Sequence, residues 1–135
     1  MGISVKKEHI DKYMKIMKLR ATGQYLFVQI IPLSQRFIYD VFGLTPLATK
    51  SKILAFTKDL ILLIDLDPLG HFVAQHAIIQ FEDIESIDFK KRWMQSKLTI
   101  QTNKGPLLFK VPNSLADIAW QEPNLKKLID NGWRV

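Results

Sequence analysis

Between residues 4 and 20, apolar side chains return every three or four positions. Ile10, Tyr13, Met14 and Met17 define one face, and Ile16 and Leu19 widen it. That spacing predicts an amphipathic helix whose wet side carries Lys6, Lys7, Asp11, Lys12, Lys15 and Lys18. Thr22-Gly23 is its expected stop, because glycine takes a left-handed conformation without a steric penalty. Strand-like segments follow. Residues 25–31 are rich in β-branched and aromatic side chains and end at Pro32. Residues 34–42 read as a short helix capped by Ser34 and closed by Gly43. Residues 50–56 and 60–66, separated by Thr57-Lys58-Asp59, predict an antiparallel hairpin. Asp67-Pro68-Leu69-Gly70 reads as a turn.

Residues 71–79 and 84–89 supply further strands. Leu98, Ile100 and Thr102 alternate with Thr99, Gln101 and Asn103, the cleanest period-two run in the chain. Asn103-Lys104-Gly105 then turns into a last strand over 106–111. After Pro112-Asn113-Ser114 the period becomes helical again, with Asn113 or Ser114 as cap and Asp117 in the first turn. Leu115, Ile118, Ala119, Leu125, Leu128 and Ile129 form its apolar face. Pro123 kinks that helix or begins a second segment, and Gly132 ends it. About seven short strands closed by an apolar helix predict a small barrel or sandwich, its mouth plugged by the segment around Trp120.

Charge adds a location. Over the 135 residues the formal charge is +6, but residues 1–20 carry a net +4, residues 21–88 a net −4, and the last nineteen residues balance. Residues 89–116 hold Lys90, Lys91, Arg92, Lys97, Lys104 and Lys110 and no acid, so this stretch matches the charge of the whole chain. An electrostatic function belongs there or at the amino terminus. Cysteine is absent, which excludes disulfides, thiolate metal sites and cysteine nucleophiles. The longest uncharged apolar candidate, residues 60–64, is far short of the roughly 18 residues that a membrane span needs. Lysines throughout the first twenty residues leave no signal-peptide core. The expected location is therefore cytoplasmic, with peripheral attachment to a membrane as the alternative.

Three segments carry a family resemblance. Leu54-Ala55-Phe56-Thr57-Lys58-Asp59-Leu60-Ile61-Leu62-Leu63 resembles the strand–Thr–turn–strand hairpin of bacterial pleckstrin-homology-like domains. Phe81-Glu82-Asp83-Ile84-Glu85-Ser86-Ile87 is similar to a second strand of that family, and residues 98–109 to its last hairpin. Asp59 stands where the family often has a basic residue, residues 34–47 are an insertion, and the leading helix is an addition. The resemblance implies a mainly β fold with α: a seven-stranded bent antiparallel barrel or sandwich capped by a carboxy-terminal helix in which Trp120, Leu115, Ile118 and Leu128 pack. It divides the chain into an amino-terminal basic amphipathic helix, 1–23, and the pleckstrin-homology-like domain, 24–135. It further implies a non-catalytic scaffold that presents loops and a sheet edge to a protein partner or to its own copies. Phosphoinositide recognition is not implied, since no basic pocket-forming pattern is present.

Candidate chemistry is sparse. His71 and His76 are five apart on a strand, pointing to opposite faces, and His9 is distant. Glu82, Asp83 and Glu85 cluster at a strand entry, where Asp83 suits a turn cap rather than acid–base work across a cleft. No glycine-rich phosphate loop or nucleophile elbow occurs, so neither an enzyme nor a cofactor is expected. Lys90, Lys91, Arg92 and Trp93 are the candidate contact surface, three cations beside an indole followed by Met94. Such a loop suits an acidic protein surface or, as the alternative function, an anionic membrane, which the leading helix would also suit. Nucleic acid fits less well, because the strand aromatics are set among apolar neighbours as core residues are.

Overall fold

The computed structural model describes residues 5–31 and 51–135; the helix and insertion read into residues 34–47 lie outside them. Strands β2 (Ser51–Phe56) and β3 (Leu60–Leu66) form the expected hairpin. Thr57 closes it: the Leu60 carbonyl accepts from the Thr57 hydroxyl at 2.9 Å, and that hydroxyl accepts from the Leu60 N–H at 3.1 Å. Around this hairpin lie β1 (Tyr25–Ile30), β4 (Phe72–Gln80), β5 (Ile84–Lys90), β6 (Gln95–Thr102) and β7 (Gly105–Pro112), with a 3-10 turn, Phe81–Asp83, linking β4 to β5. All neighbours are antiparallel in a single seven-stranded sheet of order β4-β3-β2-β1-β7-β6-β5. Helix α1 (Lys7–Ile16) precedes it and α2 (Gln121–Asp130) follows it.

Two apolar clusters show how the sheet bends. Leu26 and Val28 of β1, Leu54 and Phe56 of β2, Ile61 and Leu63 of β3, Ala77 and Ile79 of β4, Leu98 of β6 and Phe109 of β7 share one interior, with β5 contributing Ile87 and Phe89 at its margin. Side chains from both ends of the sheet meet only if the sheet curls over them. Leu125 and Leu128 of α2 enter the same interior, as does Trp133, whose ring lies 6.1 Å from that of Phe56 and 5.4 Å from that of Phe89. Trp133 is thus the mouth-filling aromatic. Trp120, expected in that role, packs with Leu115 and Ile118 on the outer cluster, and its indole N–H donates to the Val5 carbonyl at 2.9 Å. The reason is the helix start. Residues 113–120 are turns with one isolated bridge, Leu115 to Ile118, and the helix begins at Gln121. Pro123 is its third residue, where a missing N–H costs nothing. Beyond the helix, Gly132 at φ 64° and Trp133 at φ 66° turn the chain back, with the Trp133 N–H donating to the Leu128 carbonyl at 2.8 Å. A left-handed tryptophan costs about 1–2 kcal/mol, which burial of the indole offsets.

Helix α2 also completes the sheet. Strand β1 pairs with β7 only at Gln29 and Ile30, so its first half has an open side. There the buried Gln121 side chain accepts from the Phe27 N–H at 2.9 Å and donates to the Phe27 and Pro112 carbonyls at 2.8 and 2.9 Å. Asn124 donates to the carbonyls of Gly23 and Tyr25 at 2.9 and 3.0 Å. Two amides replace a strand, meeting the rule that buried backbone groups be bonded.

The outer cluster settles where the first helix packs. Ile10 and Met14 of α1 are buried against Tyr25 and Phe27 of β1, Ile53 and Ala55 of β2, and Leu62 and Ile64 of β3. Helix α1 therefore covers the outer face of its own sheet. It ends earlier than Gly23: Lys18 adopts φ 59°, and the Leu19 N–H donates to the Met14 carbonyl at 2.8 Å, the bond that closes a Schellman-type turn. Gly23, at φ 74°, serves instead the turn into β1. Polar links fix the helix. The Tyr25 hydroxyl donates to Asp11 Oδ1 at 2.5 Å, and the Tyr13 hydroxyl lies 2.9 Å from His76 Nδ1.

These phenols set an alkaline limit. Burial, then the hydrogen bond to Asp11, pushes Tyr25 far above the ordinary phenol value of 10.0. Burial and the charge of Asp65 raise Tyr13. Above about pH 10 an unfolded tyrosine ionises while these two hold their protons, so unfolding releases protons there. Stability from both is fully present below that pH and is lost as pH rises past it. Urea unfolding from about pH 8 to about pH 11 should show this fall, and Tyr25→Phe should make it shallower.

Candidate docking surface

Strands β5 and β6 are joined by residues 91–94, and the sequence places three cations, Trp93 and Met94 in or beside that connection. Its shape is set from the far side of the hairpin. The Ser96 hydroxyl accepts from the Arg92 N–H at 3.1 Å and donates to Asn113 Oδ1 at 2.6 Å. Asn113 in turn donates through Nδ2 to the Arg92 carbonyl at 2.8 Å, and through its backbone N–H to the Met94 carbonyl at 2.9 Å. Met94 sits at φ 63°, which closes the turn. The connection is held by side chains rather than by an apolar foot. Trp93 is consequently 89% exposed and Met94 72% exposed, with Lys90, Lys91 and Arg92 also on the surface. The indole does not fold back over the barrel.

Register adds what sequence order hides. Lys90 lies opposite Lys97, and Lys97 lies opposite Lys110. Leu98 and Phe109, their immediate neighbours, point into the barrel, so Lys97 and Lys110 point outward. Three lysines thus stand in a transverse row across β5, β6 and β7, beside the loop that bears Lys91 and Arg92. Like charges directly opposed on a sheet are destabilising. Lys97 against Lys110 follows from the hairpin turn at 103–104 and the alternation of residues 98–102, whereas Lys90 against Lys97 is set by the register of β5 on β6.

The other candidates are scattered. His71 Nδ1 lies 3.2 Å from Asp67 Oδ2 in the β3–β4 turn, where the His71 backbone N–H, and then that of Leu69, hold the Asp67 carboxyl below its usual value. His76 faces Tyr13, and His9 is exposed on α1. Asp83 links across to the β6–β7 turn: its carbonyl accepts from the Asn103 N–H at 2.9 Å and its Oδ1 from Asn103 Nδ2 at 3.4 Å. Among the described residues no three histidines or carboxylates gather as metal ligands would. An open cleft of about 560 Å3 separates β5 from α2, floored by Phe89, Leu125 and Ile129 and edged by Lys91, Glu122 and Lys126.

A family model described as "Bacterial PH domain" matches residues 5–110, a span that takes in α1 and most of the sheet. No curated protein matches the chain.

Proposed function

The chain belongs to the bacterial PH domain family, and from that premise we propose that it is a non-catalytic docking module whose contact surface is the β5–β6 tip: Lys90, Lys91, Arg92, Trp93 and Met94, with Lys97 and Lys110. The acceptor whose chemistry fits this tip is an anionic bilayer. The lysine row beside an outward Trp93 carries the reading. Repulsion within the row is relieved by an anionic plane, and an exposed indole suits the headgroup layer. Each cation near such a surface contributes about 1 kcal/mol, so five give about 5 kcal/mol, worth a dissociation constant near the millimolar range. Trp93 adds apolar burial to that. Attachment is therefore reversible and salt-sensitive. No helix among the described residues is long and apolar enough to cross a membrane. Helix α1, whose apolar face is occupied by the sheet, is not part of the contact.

Sedimentation with vesicles of phosphatidylserine in phosphatidylcholine tests this. The chain should pellet with them at low salt, release as salt rises, and ignore pure phosphatidylcholine. Lys97→Glu with Lys110→Glu should abolish pelleting, and Trp93→Ala should weaken it. Failure to pellet, or pelleting that none of these substitutions alters, overturns the reading.

A further inference from the structure

The cleft of about 560 Å3 between β5 and α2 continues toward the tip. A second hollow of about 520 Å3 adjoins it, lined by Lys91, Arg92, Trp93, Met94, Asn113 and Ser114. Lys91, Asn113 and Ser114 line both, so the two form one groove. Each half falls within the roughly 300–1,000 Å3 typical of small-molecule sites. The groove stays open because Asn113 spends its side chain on Ser96 and Arg92, holding Trp93 outward instead of over the floor. Its two ends differ in chemistry. The α2 end has an apolar floor: Phe89 is half-buried, Leu125 is 6% exposed and Ile129 is 40% exposed. Charges on the α2 rim alternate in sign, Glu122, Lys126 and Asp130 following one another at intervals of four. At the tip end stand Lys91 and Arg92, with no acid among the residues lining that hollow. Neither side chain makes an ion pair among the described residues.

We propose that this groove binds a single-chain anionic amphiphile, a fatty-acid carboxylate being the simplest, with its hydrocarbon chain over Phe89, Leu125 and Ile129 and its carboxylate at Lys91 and Arg92. The order of the groove, apolar at one end and cationic at the other, is the order of such a molecule. Covering the floor takes apolar surface of both partners out of water. The guanidinium of Arg92 presents the paired donors that a carboxylate accepts. A cationic head on the same chain would meet like charge. The site goes beyond the bilayer reading: it shares Lys91 and Arg92 with the tip, but its ligand comes from water. A tail already inside a bilayer is out of water and gains nothing from the groove.

Calorimetric titration of the full chain with octanoate, decanoate and dodecanoate, each below its micellar concentration, tests the site. Affinity should rise about two- to fourfold per added methylene. Amide resonances of residues 89–91 and 113–130 should shift on binding. Ile129→Asp, at an exposed position, should lower dodecanoate affinity by about tenfold or more, because it puts a charge on the floor. Lys91→Glu with Arg92→Glu should do the same by repelling the carboxylate. Dodecyltrimethylammonium, with the same chain and the opposite charge, should leave those resonances in place. Circular dichroism checks that the variants remain folded. No binding of dodecanoate, an affinity indifferent to chain length, equal binding of the cationic amphiphile, or shifts centred elsewhere overturns the site. The two readings fail separately. Lys97→Glu with Lys110→Glu should abolish vesicle pelleting and leave dodecanoate affinity unchanged, while Ile129→Asp should do the reverse.

Discussion

Replacing Lys52 by Met should cost about 3–5 kcal/mol of stability, and replacing Asp65 by Asn should cost a similar amount. Lys52 and Asp65 oppose each other across the β2–β3 hairpin, with Lys52 Nζ 2.5 Å from Asp65 Oδ1 and both side chains fully buried. They alternate with outward residues in step with Leu54 and Leu63, so the pair faces the barrel interior. The second carboxylate oxygen of Asp65 has no hydrogen-bond partner among the described residues. Desolvating two charges is expensive, and their attraction in a poorly polarisable interior repays it only while both are present. Losing one partner strands the other. A domain of this kind is stable by only about 5–15 kcal/mol, so either single change removes a large share. The double variant Lys52→Met with Asp65→Leu should recover most of the loss, and a match or gain over wild type is the expected limit. Chemical denaturation of the four proteins supplies the cycle. Single variants that each cost under about 1 kcal/mol, or a double variant as poor as their sum, would show the pair not to be coupled.

The ion pair also shows what the sequence made legible. The hairpin was readable from Thr57-Lys58-Asp59 between two apolar runs, and with Thr57 facing Leu60 across Lys58-Asp59 the register sets Phe56 against Ile61 and hence Lys52 against Asp65. Each is the lone charge in an inward row of apolar residues. Local period and turn chemistry likewise exposed the five other strands, because each is short and punctuated by Gly, Pro or Asn. The tip was legible for a different reason: a loop of Lys, Lys, Arg and Trp has no apolar neighbours to bury it. The alignment of Lys90, Lys97 and Lys110 depends on register across two hairpins, which adjacency in sequence does not display. Helix ends were the least legible. Lys18 ends α1 in a left-handed turn that glycine would normally supply. Residues 113–120 carry helical spacing, yet Leu115, Ile118 and Trp120 are drawn to the outer cluster by α1. Trp133 lay beyond the expected stop at Gly132, and only the turn that reverses the chain there sends it into the barrel.

Removing residues 1–20 should leave a chain that no longer folds to a stable monomer. Under α1 the sheet exposes Tyr25, Phe27, Ile53, Ala55, Leu62, Ile64 and Leu66, each now at 2% accessibility or less. A patch of that extent on a monomer invites aggregation. Two α1 side chains, Ile10 and Met14, are fully buried against it. Truncating one such residue to alanine costs about 2–5 kcal/mol. Losing both, together with the Tyr25–Asp11 and Tyr13–His76 links, is comparable to the whole stability of a small domain. Ile10→Ala and Met14→Ala test the same contact without deletion: each should lower the denaturation midpoint at an unchanged slope. Ile10→Asp should be worse, because it adds an unpaired charge to a buried apolar site. Near-ultraviolet circular dichroism and light scattering read the outcome. A truncated chain that stays monomeric, keeps its aromatic signal and melts with the full-length protein would make α1 a detachable cover. Loss of both makes it the third layer of the fold, the layer that lets β1, β2 and β3 be apolar on both faces.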